Sequence, residues 1–354
     1  MRRSFVRRCG LVLAALALPV LMIGTAASAT TPSAAKLASA TLNGDGSTFQ
    51  LGFNQVVIGA FKPVQKAVTI NYQGNGSGAG RTDFVNGVVD FAGTDAPYKA
   101  TDPQPPKPFF YFPTVVAPIT VSYNLSGVTK LKLSPDTVAK IFSGAATTWD
   151  DASIKADNPT AKLPSTAITV VHRSDSSGTT ANFTSFLTKA APAAWTIGSG
   201  STVSWPAGTQ GATGNSGVAK LVKTTDGAVG YVDFSDAHAS GLTFASVKNA
   251  SGKFITPTIA SASAAAQGAT PNPDLTYDPI NAIGAASYPI TSPTWIIVYQ
   301  DQTDAAKGAA IKAFLNFIYA DGQKLAPTVD YAGLPKALLK SAKAQVNKIV
   351  VPAA

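Results

Sequence analysis

The residues best suited to chemistry lie in one stretch, His172-Arg173-Ser174-Asp175-Ser176-Ser177-Gly178-Thr179-Thr180. An apolar run precedes it, and apolar residues spaced like one face of a helix follow it, so we predict a strand-to-helix turn. The start of a helix offers free N–H groups and the positive end of its dipole, which together favour an anion. The stretch therefore indicates an anion site, although a capped helix with a purely structural pair of Arg173 and Asp175 fits it as well.

Two further turns share this design. Ser47-Thr48-Phe49 and Ser77-Gly78 each place a small hydroxyl residue or a glycine at a predicted helix start. Predicted helices and strands alternate around them, which favours an α/β sheet that collects its ligand at the carboxyl ends of its strands. Asp95 follows one such strand, predicted at residues 88–91. Three anion-binding turns in one chain indicate a site that strips a small anion of its water.

Arginine is scarce outside the first 29 residues. Only Arg81 and Arg173 remain there, against 22 lysines. The arginine side chain is a planar, two-pronged donor that suits phosphate or carboxylate. Arg173 is thus a candidate ligand residue, whereas Arg81 could instead pair with a surface aspartate.

The composition excludes several classes of function. The chain has no glutamate, and its one cysteine, Cys9, lies within the first 29 residues, which excludes glutamate catalysis, cysteine catalysis and disulfides in the remainder. Two histidines, His172 and His238, leave little for a metal site, so no metal and no cofactor is expected. Removing residues 1–29 takes away four arginines and no acid, which lowers the formal net charge from +9 to +5. That charge is too small for a nucleic-acid binder.

The N-terminal residues have the pattern of a secretory signal. A basic segment, an apolar run over residues 11–23 and Ala27-Ser28-Ala29 predict a signal peptide over residues 1–29. Cys9 precedes the apolar run, whereas a lipid-anchored cysteine would follow it, so no lipid anchor is expected. Residues 30–40 are predicted to be a disordered leader. We expect the protein to be secreted across the membrane, into the periplasm or the extracellular space.

Two competing motifs fit less well. Gly74-x-Gly76-x-Gly78-x-Gly80 departs from the spacing of a dinucleotide-binding loop, and no acidic residue closes the next strand in the usual way. His172, Asp175 and Ser177 are crowded within one turn and lack the Gly-x-Ser-x-Gly elbow, which argues against a catalytic triad. We therefore expect His172 at a strand end and His238 at the surface.

Further motifs occur in a fixed order along the chain. They are Gly44-Asp45-Gly46-Ser47-Thr48-Phe49, Asn71-Tyr72-Gln73-Gly74-Asn75-Gly76-Ser77, Val89-Asp90-Phe91-Ala92-Gly93-Thr94-Asp95-Ala96-Pro97, Trp149-Asp150-Asp151, Arg173-Ser174-Asp175-Ser176-Ser177-Gly178-Thr179, Gly227-Ala228-Val229-Gly230-Tyr231, Tyr288-Pro289-Ile290-Thr291-Ser292 and Asp330-Tyr331-Ala332-Gly333-Leu334-Pro335. In these motifs the chain resembles the periplasmic phosphate-binding proteins of phosphate ABC transporters, the PstS family. The resemblance covers about residues 41–350.

The resemblance implies an α/β, two-lobe periplasmic-binding-protein fold of type 2, in which each lobe is a mixed, mostly parallel sheet flanked by helices. Residues 41–117 with 289–354 would form lobe I, and residues 118–288 lobe II. The strand predicted over residues 114–123 would pass between them. Phosphate would bind in the cleft, to Thr48, Phe49, Ser77 and Asp95 of lobe I and to Arg173, Ser177, Gly178 and Thr179 of lobe II, with Asp175 holding Arg173.

The resemblance also implies a role and partners. A monomeric binding protein without enzymatic activity would deliver inorganic phosphate to the permease of an ABC transporter. An ionised Asp95 would accept a hydrogen bond from the phosphate O–H and repel sulfate, which has no proton to give. Two alternatives stay open: a free extracellular phosphate scavenger or sensor without a permease, and a phosphate-ester hydrolase, against which the lack of Glu, Cys and a His cluster argues.

Three features depart from the family pattern. Asp45 stands where the family often has alanine, and Gln50 where it often has proline. Asp45 places an additional carboxylate beside the first anion loop, so it rivals Asp95 as the carboxylate that tells phosphate from sulfate. Many relatives outside Gram-negative bacteria are lipoproteins, whereas no lipobox is found here.

Overall fold

The computed structural model describes residues 37–353. The predicted signal peptide and residues 30–36 of the predicted leader therefore lie outside the described residues. Residues 37–39 carry no regular structure, and the first strand begins at Ala40.

Strands and helices alternate through most of the chain. The strands are β1 (Ala40–Gly46), β2 (Val68–Gln73), β3 (Phe91–Thr94), β4 (Phe109–Tyr123), β5 (Lys132–Leu133), β6 (Thr169–Arg173), β7 (Gln210–Ala212), β8 (Ala228–Asp233), β9 (Thr243–Phe244), β10 (Ser246–Lys248), β11 (Phe254–Ile255) and β12 (Thr291–Tyr299). The α-helices are α1 (Leu51–Phe61), α2 (Ser77–Val85), α3 (Pro135–Phe142), α4 (Ala152–Asp157), α5 (Gly178–Ala190), α6 (Gly214–Thr224), α7 (Phe234–Ala239), α8 (Ile259–Gln267), α9 (Ala305–Phe317), α10 (Gln323–Leu325) and α11 (Lys336–Val346). A short π-helix, Ile318–Gly322, continues α9, and a short 3₁₀-helix, Ala326–Val329, follows α10.

Nine of these strands form one continuous mixed sheet. Its order is β2-β1-β3-β12-β4-β8-β6-β7, with β9 beside β4. Parallel pairs occupy the two ends, β2, β1 and β3 at one and β8, β6 and β7 at the other, and antiparallel pairs join them through β12 and β4. A second, three-stranded sheet is formed by β11, β10 and β5. The predicted α/β class is confirmed, and the parallel ends carry the loops that were expected to bind the ligand.

Strand β4 joins the two halves of the sheet. Residues 109–118 pair with β12 and residues 119–123 pair with β8. The change of partner falls between Pro118 and Ile119. The Ile119 N–H donates to Ile290 O (2.7 Å), and Tyr288 Oη donates to Ile119 O (3.0 Å). The segment that leads into β12 therefore passes beside the point where β4 changes its partner.

The core follows from the sequence patterns. β4 is almost wholly buried because both of its faces are apolar, as expected for a central strand covered by helices on both sides. α3 begins where its sequence favours a helix start, with the Ser134 hydroxyl accepting from the Thr137 N–H and Pro135 at the first helical position. β10 and β11 pair as an antiparallel hairpin around Gly252. No helix among residues 37–353 is long and apolar enough to span a membrane.

Two local predictions were wrong. The strand expected over residues 88–91 is β3, which begins at Phe91, and Val88 is 66% exposed. The helix expected to start at Ser47-Thr48-Phe49 starts only at Leu51. The Ser47 hydroxyl donates to the carboxylate of Asp95, just after β3, and its oxygen accepts from the Gln50 N–H (3.4 Å), so residues 47–50 form a separate turn before the helix.

Candidate functional site

The turns after β1, β3 and β6, together with the start of α2, meet in one place. The N–H of Gly78, in α2, donates to Ser176 O in the turn before α5 (3.0 Å). A Cβ added to Gly178 would lie 2.5 Å from both Asp95 Oδ2 and Ser77 Oγ, so the start of α5 packs against the end of β3. The two halves of the sheet therefore contact each other at these turns.

The Arg173 guanidinium is buried at the end of β6. Its Nε donates to Asp175 Oδ1 (2.7 Å) and its Nη2 to Asp175 Oδ2. Only 1% of its side chain is exposed. Its Nη1 is buried and has no hydrogen-bond partner among the described residues. A buried donor left without a partner is costly, which makes Nη1 a ready donor for an anion.

Asp175 holds this guanidinium in place. Burial alone would raise the pKa of Asp175, but the hydrogen bonds and charge of Arg173 lower it below its usual value. The Gly214 N–H, at the start of α6, also donates to Asp175 Oδ1 (3.2 Å) and has the same effect. Asp175 is therefore ionised at neutral pH, and its two oxygens fix the plane of Arg173, as the sequence predicted for this pair.

The start of α5 supplies further donors. Ser177 is the N-cap residue, and its hydroxyl accepts from the Thr180 N–H (3.2 Å). The N–H groups of Gly178 and Thr179 precede the first intrahelical bond and have no helical acceptor. Ser177, Gly178 and Thr179 are all buried, so these donors are shielded from water.

The first half of the sheet contributes Thr48 and Phe49. Asn215 Nδ2 donates to both Thr48 Oγ1 and Thr179 Oγ1 (3.1 Å each), so one side chain of α6 ties together hydroxyls of the two halves. The backbone N–H groups of Thr48 and Phe49 precede α1 and donate to no acceptor within the described chain. The Phe49 ring is buried against Tyr331, 6.1 Å between ring centroids, so Phe49 offers only its N–H.

Asp95 is the acceptor of the site, and it is surrounded by hydroxyl donors. Ser47 Oγ donates to it (2.6 and 2.7 Å to the two oxygens), Thr294 Oγ1 to its Oδ1 (2.6 Å) and Ser77 Oγ to its Oδ2 (3.1 Å). Burial raises the pKa of Asp95, while these three hydrogen bonds and the charge of Arg173 oppose the rise. Burial therefore disfavours the ionised form of Asp95, whereas the hydroxyl donors and the charge of Arg173 stabilise that form.

The hydrogen-bonding capacity of Asp95 leaves room for one more donor. A carboxylate has about four lone-pair sites, and three hydroxyls carry three hydrogens between them. One site on the Asp95 carboxylate is thus open to a donor from a ligand. The start of α5 lies close to this carboxylate, because a Cβ added to Gly178 would be 2.5 Å from Asp95 Oδ2.

The structure places the rival residues outside this cluster. The Asp45 carboxylate accepts from the Gly46 N–H (2.6 Å) and Asn75 Nδ2 (3.2 Å). Asp83, on α2, lies beside Asp45. Burial is the larger cause of its raised pKa, and the neighbouring Asp45 carboxyl adds to the rise. Arg81 Nη1 lies 3.7 Å from Asp102 Oδ2 and donates to the backbone carbonyls of Ala96 and Pro97. These contacts fit the alternative in which Arg81 pairs with an aspartate instead of binding a ligand.

Both histidines lie where they were expected. His172 is in β6, with its ring stacked on Trp205 at 4.9 Å between centroids. His238 is exposed on α7, and its Nδ1 is 2.8 Å from Asp330 Oδ2. The described residues include no group of three or more His, Cys, Asp or Glu that could hold a metal ion.

Sequence reasoning missed several supporting residues. Ser47 and Thr294 donate to Asp95, Asn215 bridges the two halves, and Tyr231 Oη is 3.0 Å from the Arg173 N–H and 2.6 Å from Thr180 Oγ1. Ser47 could have been found, because it lies inside the first anion turn. Thr294 and Asn215 lie far from these turns in sequence, and no local pattern marks them.

Comparisons with known proteins show the family to which the chain belongs. The family model of the PBP superfamily domain matches residues 28–322. The chain is 36% identical over 326 residues to the phosphate-binding protein PstS2 of Mycobacterium bovis, covering 87% of each chain. It is 37% identical over 336 residues to the phosphate-binding protein PstS of Methanocaldococcus jannaschii, covering 86% of this chain and 85% of that one.

Solved structures confirm the fold. The high-affinity periplasmic phosphate-binding protein PfluDING, solved with phosphate bound at pH 8.5, superposes with a TM-score of 0.71 at 25% identity, covering 89% of this chain and 100% of that one. A phosphate-binding protein from Stenotrophomonas maltophilia gives a TM-score of 0.69 at 23% identity, covering 86% of this chain and 94% of that one, and supports the fold alone. The two-lobe, type 2 periplasmic-binding fold is confirmed.

Proposed function

This chain belongs to the PstS family of phosphate-binding proteins, and from that premise we propose that it binds inorganic phosphate with high affinity and delivers it to an ABC permease for import. The observation that carries the proposal is the buried Nη1 of Arg173, a cationic donor that has no hydrogen-bond partner among the described residues and belongs to a side chain whose charge acts on Asp95. We assign as ligand residues Thr48, Phe49, Ser77, Asp95, Arg173, Ser177, Gly178 and Thr179.

The chemistry of these residues suits phosphate. The anion would receive hydrogen bonds from backbone N–H groups, hydroxyls and one guanidinium, all withdrawn from water. Such donors cost little reorganisation because the fold already orients them. Phosphate keeps a proton at neutral pH, and that proton can go to the open acceptor site of Asp95. Sulfate would place a bare oxygen against a carboxylate.

We propose that the chain crosses between the two lobes twice. The first crossing is within β4, between residues 117 and 118, and the second is between residues 288 and 289, just before β12. The change of strand partner between Pro118 and Ile119 supports the first boundary. The hydrogen bond from Tyr288 Oη to Ile119 O supports the second, because it brings the returning chain to the same point. Two adjacent crossings suit a hinge about which the lobes open to admit the anion.

Titration calorimetry tests the binding proposal directly. Protein refolded from denaturant, which releases bound anion, is titrated with phosphate, arsenate, sulfate and a phosphate monoester. We expect tight binding of phosphate and arsenate, because both present a protonated oxygen, and at least tenfold weaker binding of sulfate. The enclosed site should reject the monoester. Folded protein that binds no phosphate would overturn the proposal.

Two further experiments separate the alternatives. Turnover of a chromogenic phosphate ester that follows the pure protein, with or without divalent metals, would replace the binding role by a hydrolase. Phosphate uptake by cells lacking the gene separates import from free scavenging, because a scavenger or sensor leaves permease-dependent uptake intact. We propose that the protein acts as a monomer outside the cytoplasmic membrane, does not bind nucleic acid, and needs neither cofactor nor metal.

A further inference from the structure

We propose that Gln50 sets the preference of the site for phosphate over sulfate, by fixing the Thr294 hydroxyl as a hydrogen-bond donor to Asp95. This inference rests on the proposed phosphate binding and adds a positioning residue to it. Gln50 does not reach the anion. It acts through Thr294, which touches Asp95, the residue that would accept a hydrogen bond from the phosphate O–H.

The orientation of the Gln50 amide follows from its contacts. Gln50 is fully buried just before α1. Its Nε2 donates to Thr294 Oγ1 (2.8 Å) and to Trp295 O (3.0 Å). A backbone carbonyl can only accept, so the side facing Trp295 must be the NH₂ group. Gln50 Oε1 in turn accepts from Asn54 Nδ2 (3.2 Å), which agrees with this assignment.

The donation from Gln50 determines where the Thr294 proton points. With one lone pair of Oγ1 engaged by Gln50, the single hydroxyl hydrogen of Thr294 has two acceptors within reach. Asp95 Oδ1 is 2.6 Å away and Thr94 O is 3.2 Å away, so Asp95 receives it. Chains of hydrogen bonds strengthen one another, so the Gln50 side chain reinforces the donation from Thr294 to Asp95.

The packing leaves the Gln50 amide little freedom. A Cβ added to Gly93 would lie 2.6 Å from Gln50 Nε2, so only glycine at that position leaves room for the amide. Gln50 therefore fills a closed pocket between α1 and the strands β3 and β12. A side chain of equal length that cannot donate would occupy the same space but would leave the Thr294 hydroxyl free to turn to Thr94 O.

The consequence concerns the proton on Asp95. An ionised Asp95 only accepts, so it excludes sulfate, whereas a protonated Asp95 could donate to a sulfate oxygen. Without Gln50, the hydrogen bond from Thr294 that stabilises the ionised form of Asp95 is weakened, while Asp95 stays buried. The pKa of Asp95 therefore rises further, and Asp95 keeps its proton to higher pH. Other ionisable groups that face Asp95 are Arg173, Tyr72 and Tyr331; burial raises the pKa of both tyrosines well above 10, so neither titrates between pH 5 and 8.

The test measures selectivity as a function of pH. Dissociation constants for phosphate and for sulfate are determined by calorimetry from pH 5 to 8, for wild type, Gln50→Met and the matched control Asn54→Ala. The control removes a buried hydrogen bond from the side of Gln50 that faces away from Asp95. Phosphate itself titrates in this range, but equally for each variant, so the variants are compared with wild type at each pH.

We expect Gln50→Met to lower the ratio of phosphate to sulfate affinity about tenfold at pH 5, with a smaller effect at pH 8, while Asn54→Ala leaves the ratio unchanged. In a Thr294→Val background, Gln50→Met should have no additional effect, because the hydroxyl through which it acts is gone. A ratio that stays at the wild-type value in folded Gln50→Met, or that falls equally in the control, overturns the proposal. If Gln50→Met does not fold, Thr294→Val alone must lower the ratio with the same pH dependence, and an unchanged ratio overturns it. Wild-type protein that binds no phosphate refutes the proposed function instead.

Discussion

Replacing Arg173 by lysine is the sharpest test of the site, because the arginine does two things that one ammonium group cannot do together. Its Nε and Nη2 bind the two oxygens of Asp175, and its Nη1, which has no partner among residues 37–353, is the proposed donor to the anion. A lysine ammonium is a point charge on a flexible stem. It can approach Asp175 or the phosphate, but it cannot reproduce the planar arrangement that serves both.

The expected loss follows from these contacts. One charge-assisted hydrogen bond to phosphate contributes about 1.5–3 kcal/mol, and the weaker hold on Asp175 adds to it. For a desolvated charged contact we expect a total of about 2–4 kcal/mol. At about 1.4 kcal/mol for each factor of ten, phosphate affinity should fall by roughly 30- to 700-fold. The fold should survive, because the positive charge beside Asp175 remains.

Calorimetric titration with phosphate measures this loss, and circular dichroism checks the fold. Arg81→Lys is the matched control, since Arg81 is buried to a similar degree but donates only to backbone carbonyls near Asp102. We expect Arg81→Lys to bind phosphate within about threefold of wild type, a difference of less than 1 kcal/mol. Wild-type affinity in Arg173→Lys, or an equal loss in the control, would refute Arg173 as a ligand.

Three other variants test separate parts of the structure. Asp95→Asn should lower the phosphate-to-sulfate affinity ratio at least tenfold, and Asp45→Asn should not; parallel titrations that give the reverse would identify Asp45 as the selective carboxylate. Gly178→Ala should weaken phosphate binding by at least tenfold, because its Cβ would lie 2.5 Å from Asp95 Oδ2 and hold the lobes apart, whereas Gly59→Ala, with nothing within 4 Å, should bind normally in the same titration. Burial and then a neighbouring carboxyl raise the pKa of Asp233 well above 3.8, so its contribution to stability falls as pH rises through the raised value. Asp233→Asn should flatten the free energy of unfolding against pH above pH 4, by up to about 1.4 kcal/mol per pH unit, and an unchanged slope in chemical denaturation would contradict this.

Local sequence patterns were enough to find the candidate anion turn between β6 and α5. An apolar run before His172 and a helical spacing after Gly178 place the end of β6 and the start of α5 where the structure has them. A helix start exposes its first N–H groups whatever surrounds it, so the donors of Ser177-Gly178-Thr179 follow from chain order alone. The pairing of Arg173 with Asp175 was also predictable from the sequence, because only one residue lies between them and their side chains are within reach of each other.

Only the tertiary structure decided which groups face one another across the cleft. The hydroxyls of Ser47 and Thr294 surround Asp95 although 247 positions separate them along the chain, and no periodicity reports such a meeting. The same holds for Asn215, which joins Thr48 to Thr179. Long-range contacts arise from strand order, and strand order depends on the whole sheet rather than on any segment.

The late start of α1 has the same origin. From its sequence, Ser47-Thr48-Phe49 is as good a helix start as Ser177-Gly178-Thr179. The Ser47 hydroxyl donates to buried Asp95, far away in sequence, while its oxygen accepts from the Gln50 N–H, so residues 47–50 form a turn of their own and α1 begins only at Leu51. The sequence by itself therefore determined the candidate chemistry, helix starts and one arginine that suit an anion. The tertiary structure decided which carboxylate lies beside those groups and which neutral side chains donate hydrogen bonds to it.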